Sequence, residues 1–185
     1  MSILATAAFA ACGLGMCNVA TAANHALIMT VDYVGVLPPA PASGGTALPF
    51  VNKDSDMAKK IAVSMGVPDG NIQVLKNSSL TANGMGNAIT ALKNKISDGD
   101  KVFLYYSGHG GQDNGRGGSK CSEFLVGHDK QPYWDSDLQL SLEALGQKAS
   151  QIVMLNDSCF SGGASTKSAS RELSDSIPKY YEIDK

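Results

Sequence analysis

The chain has 185 residues, of which 43% are hydrophobic, so it is long enough to bury a core and short enough to form a single globular domain. Its formal net charge is −2, from 15 basic and 17 acidic side chains. Because there is no excess of positive charge and no long basic run, neither nucleic acid nor an anionic membrane surface is expected as a partner.

The first 23 residues differ in composition from the rest of the chain. Residues 3–16 are mostly apolar, and Ala20, Thr21 and Ala22 form the small-x-small pattern of a signal-peptidase site. This stretch is too short and too rich in glycine for a stable membrane span. It lacks the usual positive charge, since no Lys or Arg precedes Lys53. We predict a signal peptide over 1–23 and export to the periplasm or the medium.

Three alternatives remain for this segment: a lipoprotein anchor at Cys12, a misassigned start site, or a buried apolar strand, and without cleavage the protein would be cytoplasmic. Removal of the signal would also remove Cys12 and Cys17. The mature chain would then hold Cys121, interpreted as a loop thiol, and Cys159. Such an exported protein would lack structural disulfides.

Beyond residue 23 the hydrophobic pattern alternates between the period of a strand and that of a helix. This order predicts right-handed βαβ units, and therefore an α/β three-layer sandwich in which helices flank a mainly parallel sheet. Segments rich in Gly, Pro or Ser are predicted to be loops near the carboxyl ends of the strands. The predicted strands are 26–34, 72–75, 101–106 and 151–156, the helices 54–66, 81–96 and 136–149, and the loops 35–50, 108–120 and 162–171.

Two segments, 102–111 and 152–163, share one pattern: an apolar strand, then a turn rich in small residues that carries one reactive side chain. The first presents His109 and the second presents Cys159. A thiol is a strong nucleophile at neutral pH when a neighbouring base takes its proton, and imidazole is suited to that task. Parallel strands would end at the same crevice of the sheet. The pattern therefore indicates a cysteine hydrolase.

The same residues resemble a known family. Tyr-Ser-Gly-His-Gly at 106–110 is followed about fifty residues later by Asp-Ser-Cys-Phe-Ser-Gly-Gly at 157–163, which is similar to the paired motifs of caspase-like cysteine peptidases. The Gln-Ala-Cys signature of caspases is missing, so the likeness is greatest to bacterial metacaspase-like enzymes, the orthocaspases. The resemblance covers residues 26–165. It implies a caspase-like fold and thiol endopeptidase activity on peptide or protein substrates.

Substrate preference can be predicted from strand geometry. Side chains two residues apart on an extended segment point the same way, so Asp157 should face the same side as Cys159, and Ser107 the same side as His109. A carboxylate disfavours a nearby thiolate unless a cation intervenes, and the side chain of a substrate Arg or Lys would supply that cation. Asp157 could instead merely end the strand or form a turn with Asn156.

The resemblance assigns the same pocket to these residues. In metacaspases the residues that match Ser107 and Asp157 line the pocket for the substrate side chain, together with an acid after the first strand. Asp56 is the expected acid in this chain, with Asp54 as the alternate.

Many metacaspases bind calcium, and the resemblance places Asp129 and Asp135 at two of the expected acidic positions. Ser136 and Thr166 stand where further acids would be, although Asp137 could substitute. Because affinity for calcium rises with the number of carboxylates, we expect weak binding or none, and no required cofactor. The alternative role of Asp135 and Asp137 is to place negative charge in the first turn of a helix.

The predicted organisation is a signal peptide over 1–23, a caspase-like domain over 24–170 and a polar tail over 171–185, with the family's small-subunit portion expected to be absent. The predicted function is peptide cleavage after Arg or Lys by a dyad of Cys159 and His109, with the N–H groups of Gly110 and Cys159 as the oxyanion hole. A catalytically silent caspase-like interaction module and an Asn-specific, legumain-type peptidase are the alternatives. The oligomeric state is left open.

Overall fold

The computed structural model describes residues 22–39, 45–113 and 122–159. Several predictions concern residues outside these ranges: nearly all of the signal peptide, the loop at 162–171, the tail at 171–185, and the side chains of Cys12, Cys17, Cys121 and Thr166.

Three α-helices and seven strands, with three short 3-10 helices, make up the described part of the chain. In order they are β1 (Asn24–Thr30), α1 (Asp54–Ser64), β2 (Ile72–Lys76), α2 (Ala82–Lys95), β3 (Lys101–Ser107), β4 (Gly110–Asp113), β5 (Ser122–Val126), β6 (Pro132–Trp134), α3 (Asp135–Gly146) and β7 (Gln151–Asp157).

The central sheet has the strand order β2-β1-β3-β7, and each neighbouring pair is parallel. Helix α1 packs on one face, where Ala58 and Ala62 contact apolar residues of β1 and β3. Helices α2 and α3 cover the opposite face, where Met85 and Leu138 join a larger apolar cluster. The three layers confirm the predicted α/β sandwich with a mainly parallel sheet.

Helix α2 shows how local sequence sets these elements. Thr81 precedes the helix, and its hydroxyl accepts a hydrogen bond from the backbone N–H of Gly84 at 3.0 Å, as expected of an N-cap. The predicted apolar stripe is buried against the sheet. Its members are Met85, Ala88, Ile89, Leu92 and Ile96.

A second, smaller sheet was not predicted from the sequence. Strands β4, β5 and β6 form an antiparallel sheet in that order. The prediction of a flexible loop over 108–120 is therefore wrong for Gly110–Asp113, which pairs with β5 from Gly110 opposite Leu125. Strands of three to five residues are too short for a clear alternating pattern.

Several element boundaries also differ from the prediction. Strand β1 covers Asn24–Thr30 rather than 26–34, and the left-handed φ of 57° at Tyr33 prevents the extended backbone from continuing to residue 34. Helix α3 covers Asp135–Gly146, one residue earlier at its start and three residues earlier at its end than predicted. No helix in the described ranges is both long and apolar enough to cross a membrane.

The amino ends of β1 and β3 are joined by a buried hydrogen bond. His25 Nε2 donates to Asp100 Oδ2 at 3.1 Å, and the Asp100 carboxylate also accepts from the backbone N–H groups of Ala23 and Ser97. Burial alone would raise the pKa of Asp100, but these donors outweigh it and hold the pKa below its ordinary value. Asp100 is therefore a carboxylate at neutral pH and fixes the sheet edge opposite the candidate site.

Truncation of a core side chain in the central strand tests this packing. Leu104 is fully buried in β3, so Leu104→Ala is expected to lower the free energy of unfolding by about 2–5 kcal/mol through lost burial and a cavity. Leu140→Ala is the matched control, since Leu140 is 64% exposed on α3 and should change stability by less than about 0.5 kcal/mol. Urea unfolding of both variants gives the comparison, and equal effects would contradict the assigned core.

Candidate active site

The carboxyl ends of β3 and β7 bring the two predicted reactive residues to one place. The parallel ladder pairs Ser107 with Asp157, and each strand continues two residues further, to His109 and Cys159. A Cβ atom built on Gly110 would overlap the backbone carbonyl oxygen of Cys159. The turn after His109 therefore lies directly against Cys159, and the glycine at 110 is required by this close approach.

The imidazole of His109 is fully buried and held by a backbone carbonyl. Its Nε2 atom lies 2.6 Å from the carbonyl oxygen of Thr46. A carbonyl can only accept, so Nε2 must carry the hydrogen, and in the neutral ring Nδ1 carries the lone pair. His109 is thus held in the tautomer in which Nδ1 is the basic nitrogen. Sequence reasoning missed Thr46, because a backbone acceptor has no residue signature.

Two buried tyrosines hold the backbone of His109. The N–H of His109 donates to the Tyr33 hydroxyl at 3.1 Å, and the Tyr106 hydroxyl donates to the His109 carbonyl at 2.9 Å. Burial raises the pKa of both phenols, so both are neutral at physiological pH. A Cβ on Gly108 would lie 2.5 Å from the Tyr106 hydroxyl oxygen. Close contacts therefore explain why glycine, which has no side chain, occupies both positions next to His109.

A second group of polar side chains lies beside Ser107. The Ser107 hydroxyl donates to Asp54 Oδ2 at 2.8 Å, and the neighbouring strand places Asp157 opposite Ser107. Burial raises the pKa of Tyr105, and the negative charges of Asp157 and Asp54 raise it further, so both carboxylates lie near this phenol. Asp157 itself is exposed. Ser107, Asp54 and Asp157 thus form an acidic group at the carboxyl edge of the sheet.

The structure places Asp54, the alternate, beside Ser107 rather than Asp56, the acid first expected there. Residues two apart on an α-helix point about 200° away from each other, so the two carboxylates of α1 cannot share a face. Asp56 is exposed and borders a surface groove with Lys59 and Lys60. The expectation for Asp56 is corrected on this geometric ground.

A buried carboxylate, Asp32, holds the segment that carries both Thr46 and Asp54. Asp32 accepts from Asn52 Nδ2 at 2.5 Å and from Asn77 Nδ2 at 3.0 Å. Its backbone carbonyl accepts from the N–H of Leu48 at 2.6 Å. Sequence reasoning missed this residue, although an acid directly after a buried strand and before an irregular loop is a usable signal.

Cys159 is a free thiol, partly exposed at the last described position. The preceding residues form a local turn, in which the Ser158 hydroxyl donates to Asn156 Oδ1 at 2.9 Å. The side chain of Asn156 therefore bonds Ser158 within this turn. Asp157 is the last residue of β7 and pairs with Ser107 of β3.

The two acids expected to bind calcium contact backbone N–H groups instead of each other. Asp129 Oδ1 accepts from Ala82 at 3.2 Å, at the start of α2. Asp135 Oδ1 accepts from Ser136 at 2.7 Å. Asp135 and Asp137 both lie in the first turn of α3, as in the alternative interpretation. Within the described ranges no three metal-ligating side chains lie together.

Comparison with known proteins identifies the class of this chain. The family model described as the caspase domain matches residues 23–183. The chain belongs to this family of caspase-like cysteine peptidases, in agreement with the resemblance of its His and Cys motifs.

Particular relatives agree with the metacaspase-like branch. The chain is 28% identical to Metacaspase-6 of Arabidopsis thaliana over 153 residues, which cover 76% of this chain and 39% of that protein. It is 27% identical to Metacaspase-7 of the same plant over 153 residues, covering 76% of this chain and 35% of that one. The chain therefore spans well under half of the length of these relatives.

A solved structure shares the fold. A crystal structure of a Geobacter sulfurreducens protein superposes with a TM-score of 0.53 at 22% sequence identity, covering 74% of this chain and 50% of that one. This likeness supports the architecture of the sheet and its helices.

Substitution of Gly110 tests the close approach of the two turns. Gly110→Ala would force the new Cβ against the Cys159 carbonyl, so we expect the rate of Cys159 alkylation at pH 7 to fall at least tenfold. Gly70→Ala is the control, because nothing lies within 4 Å of a Cβ at Gly70. Alkylation followed by mass spectrometry measures both variants, and an unchanged rate in Gly110→Ala would contradict the described contact.

Proposed function

We propose that this protein is an endopeptidase that cleaves after Arg or Lys, with Cys159 as nucleophile and His109 as general base. One observation carries the proposal: the turn after the tautomer-locked imidazole lies directly against the backbone of Cys159. A buried imidazole on a turn that packs against the segment carrying a partly exposed thiol suits nucleophilic cysteine chemistry.

The reaction follows from this geometry in two stages. His109 Nδ1 takes the proton from the Cys159 thiol, and the thiolate attacks the substrate carbonyl carbon. The negative charge that forms on the carbonyl oxygen is stabilised by the N–H groups of Gly110 and Cys159. The imidazolium returns its proton to the leaving amine as the C–N bond breaks. Water, deprotonated by the same imidazole, then hydrolyses the thioester and releases the free enzyme.

The Thr46 carbonyl contributes to both stages. When the ring is protonated, Nε2–H carries more positive charge, and its hydrogen bond to the carbonyl oxygen becomes stronger. Thr46 thereby favours the imidazolium that forms in the transition state. It also prevents the ring from rotating, so that the basic nitrogen keeps its direction.

The acidic group beside Ser107 supports the preference for basic substrates. Asp54 and Asp157 are two like charges that both lie near Tyr105, and Asp157 is two residues before the proposed nucleophile. A substrate guanidinium or ammonium bound between them would relieve this repulsion. The two carboxylates would then position the scissile bond of the substrate at the thiol, and they would repel a substrate with an acidic side chain at this position.

The catalytic dyad is tested by substitution. Cys159→Ala is expected to abolish turnover of a peptide with Arg before the scissile bond, and His109→Ala to lower kcat/KM by about a thousandfold or more, because the two side chains act as one unit. Hydrolysis of fluorogenic peptides measures the effect, and His128→Ala serves as the control histidine substitution. Substantial activity in the Cys159 variant would exclude this mechanism.

The preference for basic residues is tested with a matched pair of acids on α1. Asp54→Asn removes charge from the acidic group and should reduce kcat/KM for Arg and Lys peptides by about a hundredfold, which is the cost of losing a few kcal/mol of charge pairing. Asp56→Asn removes the same charge from an exposed position two residues away and should have less than a twofold effect.

Cys159 alkylation in both variants shows that the nucleophile is intact. If Asp54→Asn still cleaves after Arg at the parental rate, Asp54 does not bind the substrate side chain. If the parent prefers Asn or Asp before the scissile bond, the proposed specificity is wrong.

A further inference from the structure

Tyr33 lies at the centre of a buried hydrogen-bond network around His109. Its side chain is fully buried, and its hydroxyl contacts the Val126 carbonyl at 2.6 Å, the His109 N–H at 3.1 Å and the Tyr106 hydroxyl at 3.2 Å. The phenol ring also packs on the imidazole, with 4.7 Å between the ring centroids. Tyr33 therefore contacts both the backbone and the ring of His109.

The direction of each hydrogen bond is determined by its partner. The Val126 carbonyl can only accept, so the single hydroxyl proton of Tyr33 goes to it. The His109 N–H can only donate, so it uses a lone pair of the same hydroxyl oxygen. One hydroxyl thus ties the turn that carries His109 to strand β5. The N–H of Val126 returns a bond of 3.0 Å to the His109 carbonyl, which closes the network.

The backbone of Tyr33 has an unusual conformation. Its φ of 57° lies in the left-handed region, which bulky side chains rarely adopt, and it occurs in the turn after β1. The Tyr33 carbonyl accepts from the N–H groups of Val36 and Leu37 in this turn. A conformation of this kind persists when surrounding contacts determine it, and such residues are concentrated at functional sites.

We propose that Tyr33 is a positioning residue for the general base: its hydroxyl and its ring hold the His109 imidazole in the orientation that accepts the Cys159 proton. This inference rests on the proposed function for the chemical role of His109. General-base catalysis depends strongly on geometry, and a displacement of about 1 Å can cost about a hundredfold in rate. Tyr33 acts through His109 and does not touch the reacting atoms.

The test replaces the hydroxyl and keeps the ring. In Tyr33→Phe we expect kcat to fall about tenfold to a hundredfold, while KM for an Arg peptide stays within about twofold, since Asp54 and Ser107 are untouched. The pH profile of Cys159 alkylation should move to higher pH, because the base that takes the thiol proton is less well placed.

Tyr133→Phe is the matched control. Tyr133 is also buried, and its hydroxyl bonds the Ser141 hydroxyl at 2.8 Å rather than any group of His109. This variant should lose comparable stability and keep the parental pH profile. If Tyr33→Phe lowers the melting temperature as Tyr133→Phe does, but leaves kcat and the alkylation profile unchanged, Tyr33 has only a structural role and the proposal is overturned.

A direct measurement on His109 separates this proposal from the proposed function. Long-range ¹H–¹⁵N spectra of histidine-labelled protein report the tautomer, and His109→Ala assigns the signal among the three histidines. The parent and Tyr33→Phe should both show hydrogen on Nε2, because the Thr46 carbonyl sets the tautomer, but the His109 ring signals of Tyr33→Phe should shift and broaden as the imidazole loses its fixed orientation. Unchanged ring signals overturn the role of Tyr33 even in an inactive protein, whereas peptidase activity that survives Cys159→Ala overturns the proposed function alone.

If Tyr33→Phe does not fold, Tyr106→Phe can still test whether Tyr33 holds the imidazole. This variant loses the bond from the Tyr106 hydroxyl to the His109 carbonyl, but that carbonyl keeps the bond from the Val126 N–H, and Tyr33 keeps its bonds to Val126 and His109. Because the Tyr33 ring still packs on the imidazole, the His109 ring signals should stay sharp. Broadened ring signals in Tyr106→Phe would mean that Tyr33 does not hold the imidazole, which contradicts the proposal.

Discussion

The parallel ladder between β3 and β7 is the constraint on which the candidate site depends. Seven residues of each strand pair in register, from Lys101 with Gln151 to Ser107 with Asp157. Parallel strands rise equally per residue, so positions at the same distance beyond the last pair reach the same level. A slip of one residue would turn the side chains of one strand to the other face and separate the reactive pair.

The position of β3 in the sheet makes this register rigid. It lies between β1 and β7, and six of its seven residues are buried. Both faces of the strand are covered by apolar clusters, so a change of register would expose apolar side chains on one face and bury polar ones on the other. The geometry of the candidate site is in this way coupled to the stability of the core.

A buried imidazole requires partners for its polar groups, and those partners come from distant parts of the chain. Thr46 binds the ring, while Tyr33 and Tyr106 bind the backbone. An unsatisfied buried polar group costs about 1–3 kcal/mol, so each of these contacts also stabilises the folded state. Asp32 extends this arrangement to Asn52, and thus to the start of α1. The acidic group beside Ser107 has the opposite effect on stability, because it brings like charges together.

The amino-acid pattern by itself determined the helices, the parallel strands and the placement of His109 and Cys159 just after the carboxyl ends of two strands. These features rest on local signals: the periods of strand and helix, the N-cap at Thr81, and a shared motif that repeats once. Parallel strands separated by helices have few allowed arrangements, so the order of elements was sufficient to predict the three layers.

The tertiary structure alone decided the contacts of Thr46 and Tyr33, the choice of Asp54 over Asp56, and the small antiparallel sheet. Thr46 and Tyr33 lie 63 and 76 residues before His109, and Ser107 lies 53 residues after Asp54. A carbonyl group is present at every residue, and two acids on one helix turn look alike in a sequence. Which of them contacts the site depends on how distant elements pack, and local periodicity carries no information about that packing.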